Sequence, residues 1–173
     1  MKKYSQLLLG FAVILVGLLG ISSQAHAVTH YVQSSTPTIF VHGWGSSSHA
    51  EEKMANAARD AGVTKTIVRA NVDRKGKVTF NHQIPANAVN PIVEVNLEDN
   101  KLSAYQDDYT QGYHHGGGYV KNVVLALEKQ HHYKQINLVG HSMGNLEIIN
   151  YINDNVNDKS LPQVAYLVAI AGH

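Results

Sequence analysis

Gly140-His141-Ser142-Met143-Gly144 constrains this chain more than any other stretch. It is a G-x-S-x-G pattern, and its flanks give it meaning. Gln135-Ile136-Asn137-Leu138-Val139 ahead of it reads as a short apolar strand. Asn145 to Val156 behind it carries Leu146, Ile149, Ile152 and Val156 at helical spacing. Strand, sharp turn and helix in that order form a nucleophile elbow, in which a serine is held in a strained conformation with its hydroxyl exposed above a sheet. Strand and helix cross closely there, so the residues two before and two after the serine must be small. Gly140 and Gly144 meet that demand. A serine that merely caps a helix would explain Ser142 but not both glycines.

A second segment supplies what a nucleophilic serine needs. Thr38-Ile39-Phe40-Val41 reads as a buried strand and runs into His42-Gly43-Trp44-Gly45-Ser46. Acyl transfer requires two backbone N–H donors aimed at the developing oxyanion. One comes from the residue after the nucleophile, here Met143. The other comes from an H-G-x-G loop after an early strand, and by position it is the N–H of Trp44. His42, Gly43, Gly140, His141 and Gly144 then support the elbow and the loop.

The N-terminus reads as an export signal. Lys2 and Lys3 precede a fifteen-residue apolar run, Leu7 to Ile21, and Ala25-His26-Ala27 is an A-x-A cleavage site. The run is short for a membrane span, which takes about 20 residues. An uncleaved anchor is the alternative. Residues 1–27 are therefore expected to be a signal peptide and residues 28–173 a single domain. Removing 27 of the 173 residues leaves 146, with 12 Lys+Arg against 13 Asp+Glu. That balance gives no reason to expect a nucleic-acid partner. With no cysteine, an exported fold has no disulfide staples and rests on its core.

Between the motifs, Ala50 to Ala61 reads as a helix with an apolar stripe of Met54, Ala57, Ala58 and Ala61. Lys65 to Asn71 and Lys77 to Asn81 read as a hairpin, and Pro91 to Leu97 as a strand. Asp99 to Gly118 is polar and glycine-rich, with room for a short helix at its start, and its length and glycine content suit part of a lid. Tyr119 to Lys129 reads as an amphipathic helix through Val120, Val123, Val124 and Leu127. Val164 to Ile170 reads as a further strand. Helix, strand, helix, strand from Tyr119 onward implies an α/β fold, a mostly parallel sheet with crossover helices. His114-His115 and His131-His132 lack the four-apart spacing of a zinc helix, so neither a metal nor another cofactor is expected.

After Ser142 the only acids are Glu147, Asp154 and Asp158, and the only histidine is His173. In folds with this elbow the order is Ser, then Asp or Glu, then His. None of these residues reads as a credible acid–base pair, because the elbow helix carries Glu147 and Asp154 away from the serine.

These stretches together resemble the alpha/beta hydrolases of unknown function from Gram-positive bacteria, described as cell-surface or extracellular hydrolases. The matching residues are Pro37 to Gly45, Asn90 to Val95, Ile136 to Gly144 and Val168 to Gly172, and the resemblance covers about Thr36 to Gly172. It implies an alpha/beta-hydrolase-like sheet lacking the C-terminal strands. It makes Ser142 the nucleophile, with the Trp44 and Met143 amides as oxyanion hole. It implies a small-molecule or lipid ester substrate and an extracellular or cell-surface location. The family's acid and histidine fall in a part this chain lacks, so the expectation is an exported serine hydrolase scaffold, inactive as it stands. Asn145, where glycine or alanine is commoner, and His173, where proline is usual, depart from the family. The alternatives are a non-catalytic surface binding protein or an interrupted-gene relic on the same fold. A peptidase would use the same triad.

Overall fold

In the computed structural model the described residues are 31–172. The proposed signal segment and His173 lie outside them. Six strands form one sheet in the order β3-β2-β4-β1-β5-β6. They are β1 (Thr38–Val41), β2 (Ile67–Val72), β3 (Val78–Phe80), β4 (Ile92–Leu97), β5 (Gln135–His141) and β6 (Gln163–Ile170). All neighbouring pairs are parallel except β2–β3, the expected hairpin. Its turn closes at Gly76, whose φ of +79° suits a residue without a Cβ.

The central strands are buried on both faces because alternate side chains of the same strand feed two cores. In β1, Ile39 and Val41 enter the larger core with Val93, Val95, Val120, Val123, Leu138 and Ile148. Phe40 points the other way, to Ala55, Ile92 and Val139. Ala55 belongs to helix α1 (Glu52–Asp60), whereas Val120 and Val123 belong to α2 (Tyr109–Glu128) and Ile148 to α3 (Met143–Asp154). The result is a helix–sheet–helix sandwich.

Three helical expectations are corrected. Helix α2 starts at Tyr109 rather than the expected Tyr119, so the glycine-rich residues up to Gly118 are helical. Its glycines are packing residues: a Cβ on Gly117 would lie 2.8 Å from the Tyr151 backbone N, and one on Gly116 would lie 2.6 Å from Glu147 Cγ. Close approach to α3 overrides the poor helix propensity of glycine. Helix α1 buries Ala55 and half-buries Ala58, while Met54, Ala57 and Ala61 face solvent. Helix α3 buries Met143, Glu147, Ile148 and Tyr151, with α2 packed against Glu147 and Tyr151, and leaves Ile149 exposed, as is Val156 just past its end.

Strand β6 pairs with β5 alone among the described strands. Its Tyr166, Leu167 and Val168 are 73%, 44% and 50% exposed. Consecutive residues point to opposite faces, so β6 is poorly covered on both.

Candidate active site

The site is assembled where β1 and β5 end side by side. Their register pairs Val41 with Gly140, so the loop after one strand meets the turn after the other. Ser142 adopts φ +51° and ψ −121°, a positive φ that a non-glycine residue keeps only under constraint. The constraint is visible on both sides. A Cβ on Gly140 would strike Asn145 Oδ1 and lie 2.9 Å from the Asn145 Cα and N. One on Gly144 would collide with the Val41 carbonyl oxygen and lie 2.7 Å from that of His42. Backbone carbonyls cannot swing aside, so the crossing requires glycine. The Ser142 N–H donates to the Ile170 carbonyl at 3.0 Å, and Asn145 Nδ2 donates to the same oxygen at 3.0 Å. The departure at Asn145 thus ties the elbow to the end of β6.

The His42-Gly43-Trp44-Gly45 loop lies directly against the elbow. A Cβ on Gly43 would lie 2.9 Å from Ser142 Cβ and 3.4 Å from its Oγ. His42 is fully buried. Its Nε2 accepts the Leu97 N–H at 3.1 Å, which leaves the ring proton on Nδ1 to donate to the Gly43 carbonyl at 2.9 Å. Burial lowers its pKa, opposed by the Gly43 hydrogen bond and reinforced by nearby His141. A neutral imidazole with both nitrogens engaged is a clamp between β4 and the loop, not a base for Ser142. The clamp also orients a peptide. With the Gly43 carbonyl held toward His42, the trans peptide turns the Trp44 N–H the opposite way. Among the described residues neither that N–H nor the Met143 N–H donates a backbone hydrogen bond. Met143 opens helix α3, whose first N–H groups lack intrahelical partners.

The acids that follow Ser142 are placed elsewhere. Asp154 pairs with His114 at 2.8 Å, and Asp158 lies 3.6 Å from Lys121 Nζ. Glu147 is fully buried one helical turn past Met143, against Gly116, with neither carboxylate oxygen hydrogen-bonded. Burial, aided by Asp99, pushes its pKa up to about 8, so it is held mainly protonated at neutral pH. The Nδ1 of His141, beside the serine, is buried and unpartnered. Among the described residues, Ser142 Oγ has no hydrogen-bonded histidine, and no group of three or more His, Asp or Glu could hold a metal ion.

The loop after β4 is a part of the site that the sequence did not mark. Gly45 N–H donates to the Asn100 carbonyl at 2.7 Å, and Asn100 Nδ2 donates to the Ser46 carbonyl at 2.6 Å. Lys101 Nζ sits 5.0 Å from the centroid of the Trp44 ring.

A strained serine between parallel strand and helix, with a glycine loop from the adjacent strand against it, is the arrangement of the alpha/beta hydrolase fold. The chain belongs to the alpha/beta hydrolases of unknown function, DUF915, whose model matches residues 25–173. Two solved structures share the fold, each with a TM-score of 0.67 and each covering 79% of this chain. One is the product of the gene lin2722 from Listeria innocua, 28% identical, of which 51% is covered. The other is a candidate cell surface hydrolase from Lactobacillus plantarum WCFS1, 18% identical, of which 53% is covered. The chain therefore spans about half the length of these structures. No curated protein matches it significantly. Among the described residues no helix is long and apolar enough to cross a membrane.

Proposed function

We propose that the chain carries the nucleophile and oxyanion amides of an exported serine hydrolase acting on small-molecule or lipid esters at the cell surface. The observation that carries the reading is the contact of Gly43 with the strained Ser142. It brings the Trp44 peptide beside the Oγ that would attack. In the full reaction a histidine takes the Ser142 proton as Oγ bonds to the ester carbon. The Met143 and Trp44 N–H groups stabilise the tetrahedral oxyanion, the alcohol leaves with the proton, and water hydrolyses the acyl-serine.

The 173 residues by themselves should turn over ester near background, because no described histidine bonds Ser142 and His42 is fully engaged. A fluorophosphonate probe tests this. Labelling of the 173-residue chain should be slow or absent. A longer form carrying the C-terminal region of the family should label strongly, and Ser142→Ala should abolish that labelling. Fast, Ser142-dependent labelling of the 173-residue chain would sink the claim of inactivity, with His141 or His173 then the bases to examine.

The second reading is a surface binding protein on the same fold, favoured by the lack of a hydrogen-bonded base at Ser142. A longer form that also fails to label would support it.

A further inference from the structure

The loop that lies against Ser142 carries an aromatic ring with a cation across it. Trp44, the only tryptophan of the chain, is 53% exposed although it sits in the loop that touches the nucleophile. Lys101 lies across it, with Nζ 5.0 Å from the ring centroid. Its stem passes over Gly45, where an added Cβ would lie 3.3 Å from Lys101 Cε. The two Asn100 hydrogen bonds to Gly45 and Ser46 fasten the loop that carries Lys101 to the loop that carries Trp44. The pair is thus held in place, with Trp44 the residue that directly follows Gly43.

The charge of Lys101 is not neutralised locally. It forms no ion pair among the described residues. Of the acids in the same stretch of chain, Glu98 pairs with Arg74 at 3.1 Å, Asp99 accepts from the Ser103 N–H, Asp108 caps helix α2 through the Gln111 N–H, and exposed Asp107 forms no ion pair with Lys101. An exposed indole offers apolar area to a substrate chain, and an unpaired ammonium beside it offers a counter-charge.

We infer that Trp44 and Lys101 form a recognition subsite for an anionic group, so that the esters suited to Ser142 carry a carboxylate or a phosphate within reach of Lys101. The inference deepens the hydrolase reading and rests on it for the word ester, but its binding part can be tested without turnover. An anion draws the ammonium off the indole face, and the single tryptophan reports that directly.

The experiment titrates the 173-residue chain with hexanoate, hexyl phosphate and neutral 1-hexanol while following Trp44 emission. At low salt at least one anion should bind about tenfold tighter than the alcohol, with the preference shrinking as salt rises. Lys101→Met should erase the preference while leaving the alcohol's affinity unchanged, and Lys101→Arg should keep it. Stronger binding of hexyl phosphate assigns phosphate-bearing lipids as the source, and equal or stronger binding of hexanoate assigns carboxylate-bearing esters. Ser142→Ala should bind like the parent chain, so loss of probe labelling and loss of anion preference report on separate claims. Equal affinity for alcohol and anions, no anion binding at all, or an anion preference that survives Lys101→Met would overturn the inference.

Discussion

Replacing Glu147 by glutamine should change how stability depends on pH more than it changes stability itself. The carboxyl is completely buried against Gly116, neither oxygen has a partner, and its pKa is raised from 4.5 to about 8, first by desolvation and then by Asp99. A raised carboxylate pKa means that the folded state holds a proton the unfolded state gives up. Below about pH 4.5 both states are protonated and the group contributes no penalty. Between there and about pH 8 the unfolded chain ionises alone, and stability falls by about 1.4 kcal/mol per pH unit. The loss amounts to roughly 3 kcal/mol between pH 5 and pH 8 and levels off above it. Glutamine cannot ionise. It keeps the volume and bears a desolvation cost of about 1–3 kcal/mol that does not vary with pH. Urea unfolding of both chains at pH 5, 7 and 8 reads the difference, and subtracting one chain from the other cancels shared groups such as Glu51, whose own pKa burial raises to about 7. Relative to the parent, the variant should gain roughly 3 kcal/mol on going from pH 5 to pH 8. A difference that stays flat across that range would show that Glu147 ionises freely in the fold, and the burial argument would fail.

Three further outcomes are expected. Gly144→Ala drives a methyl into the Val41 and His42 carbonyls and should cost about 3 kcal/mol or more, read as a lower urea midpoint; an unchanged midpoint would mean the elbow crossing is looser than described. Ser142→Gly releases the positive φ and should melt above Ser142→Ala by about 1 kcal/mol, and the reverse order would show that the turn is unstrained. If residues 1–27 are a cleaved export signal, mass spectrometry of chain recovered from the culture medium should find Val28 at the N-terminus, whereas an intact Met1 in the membrane fraction would point to an anchor.

The elbow and the glycine loop were legible because their demands are local: two glycines two residues from a serine, and an apolar strand ahead of each motif. The strand and helix alternation was legible for the same reason. Less so were features set by what packs against what. Helix α3 carries apolar residues on more than one face, so periodicity alone chose Leu146, Ile149, Ile152 and Val156, whereas the fold buries Met143, Ile148 and Tyr151, with α2 packed against Glu147 and Tyr151. The first turns of α2 read as loop because glycine is a poor helix former, and only the nearness of Glu147 and Tyr151 explains Gly116 and Gly117. Asn100 and Lys101 gave no local signal: their role comes from β4 ending beside β1, a pairing that no short motif encodes.

The position of β1 also sets a timetable. It is the earliest of the described strands and lies in the interior of the sheet, yet its neighbours β4 and β5 begin at Ile92 and Gln135. The Asn137–Thr38 side-chain hydrogen bond spans 99 residues. Synthesis therefore releases a strand with two open edges well before either partner exists, and closing such long loops is slow. Until β5 arrives, one edge of β1 stays unpaired, which makes that waiting period the stage at which a holding chaperone would matter most.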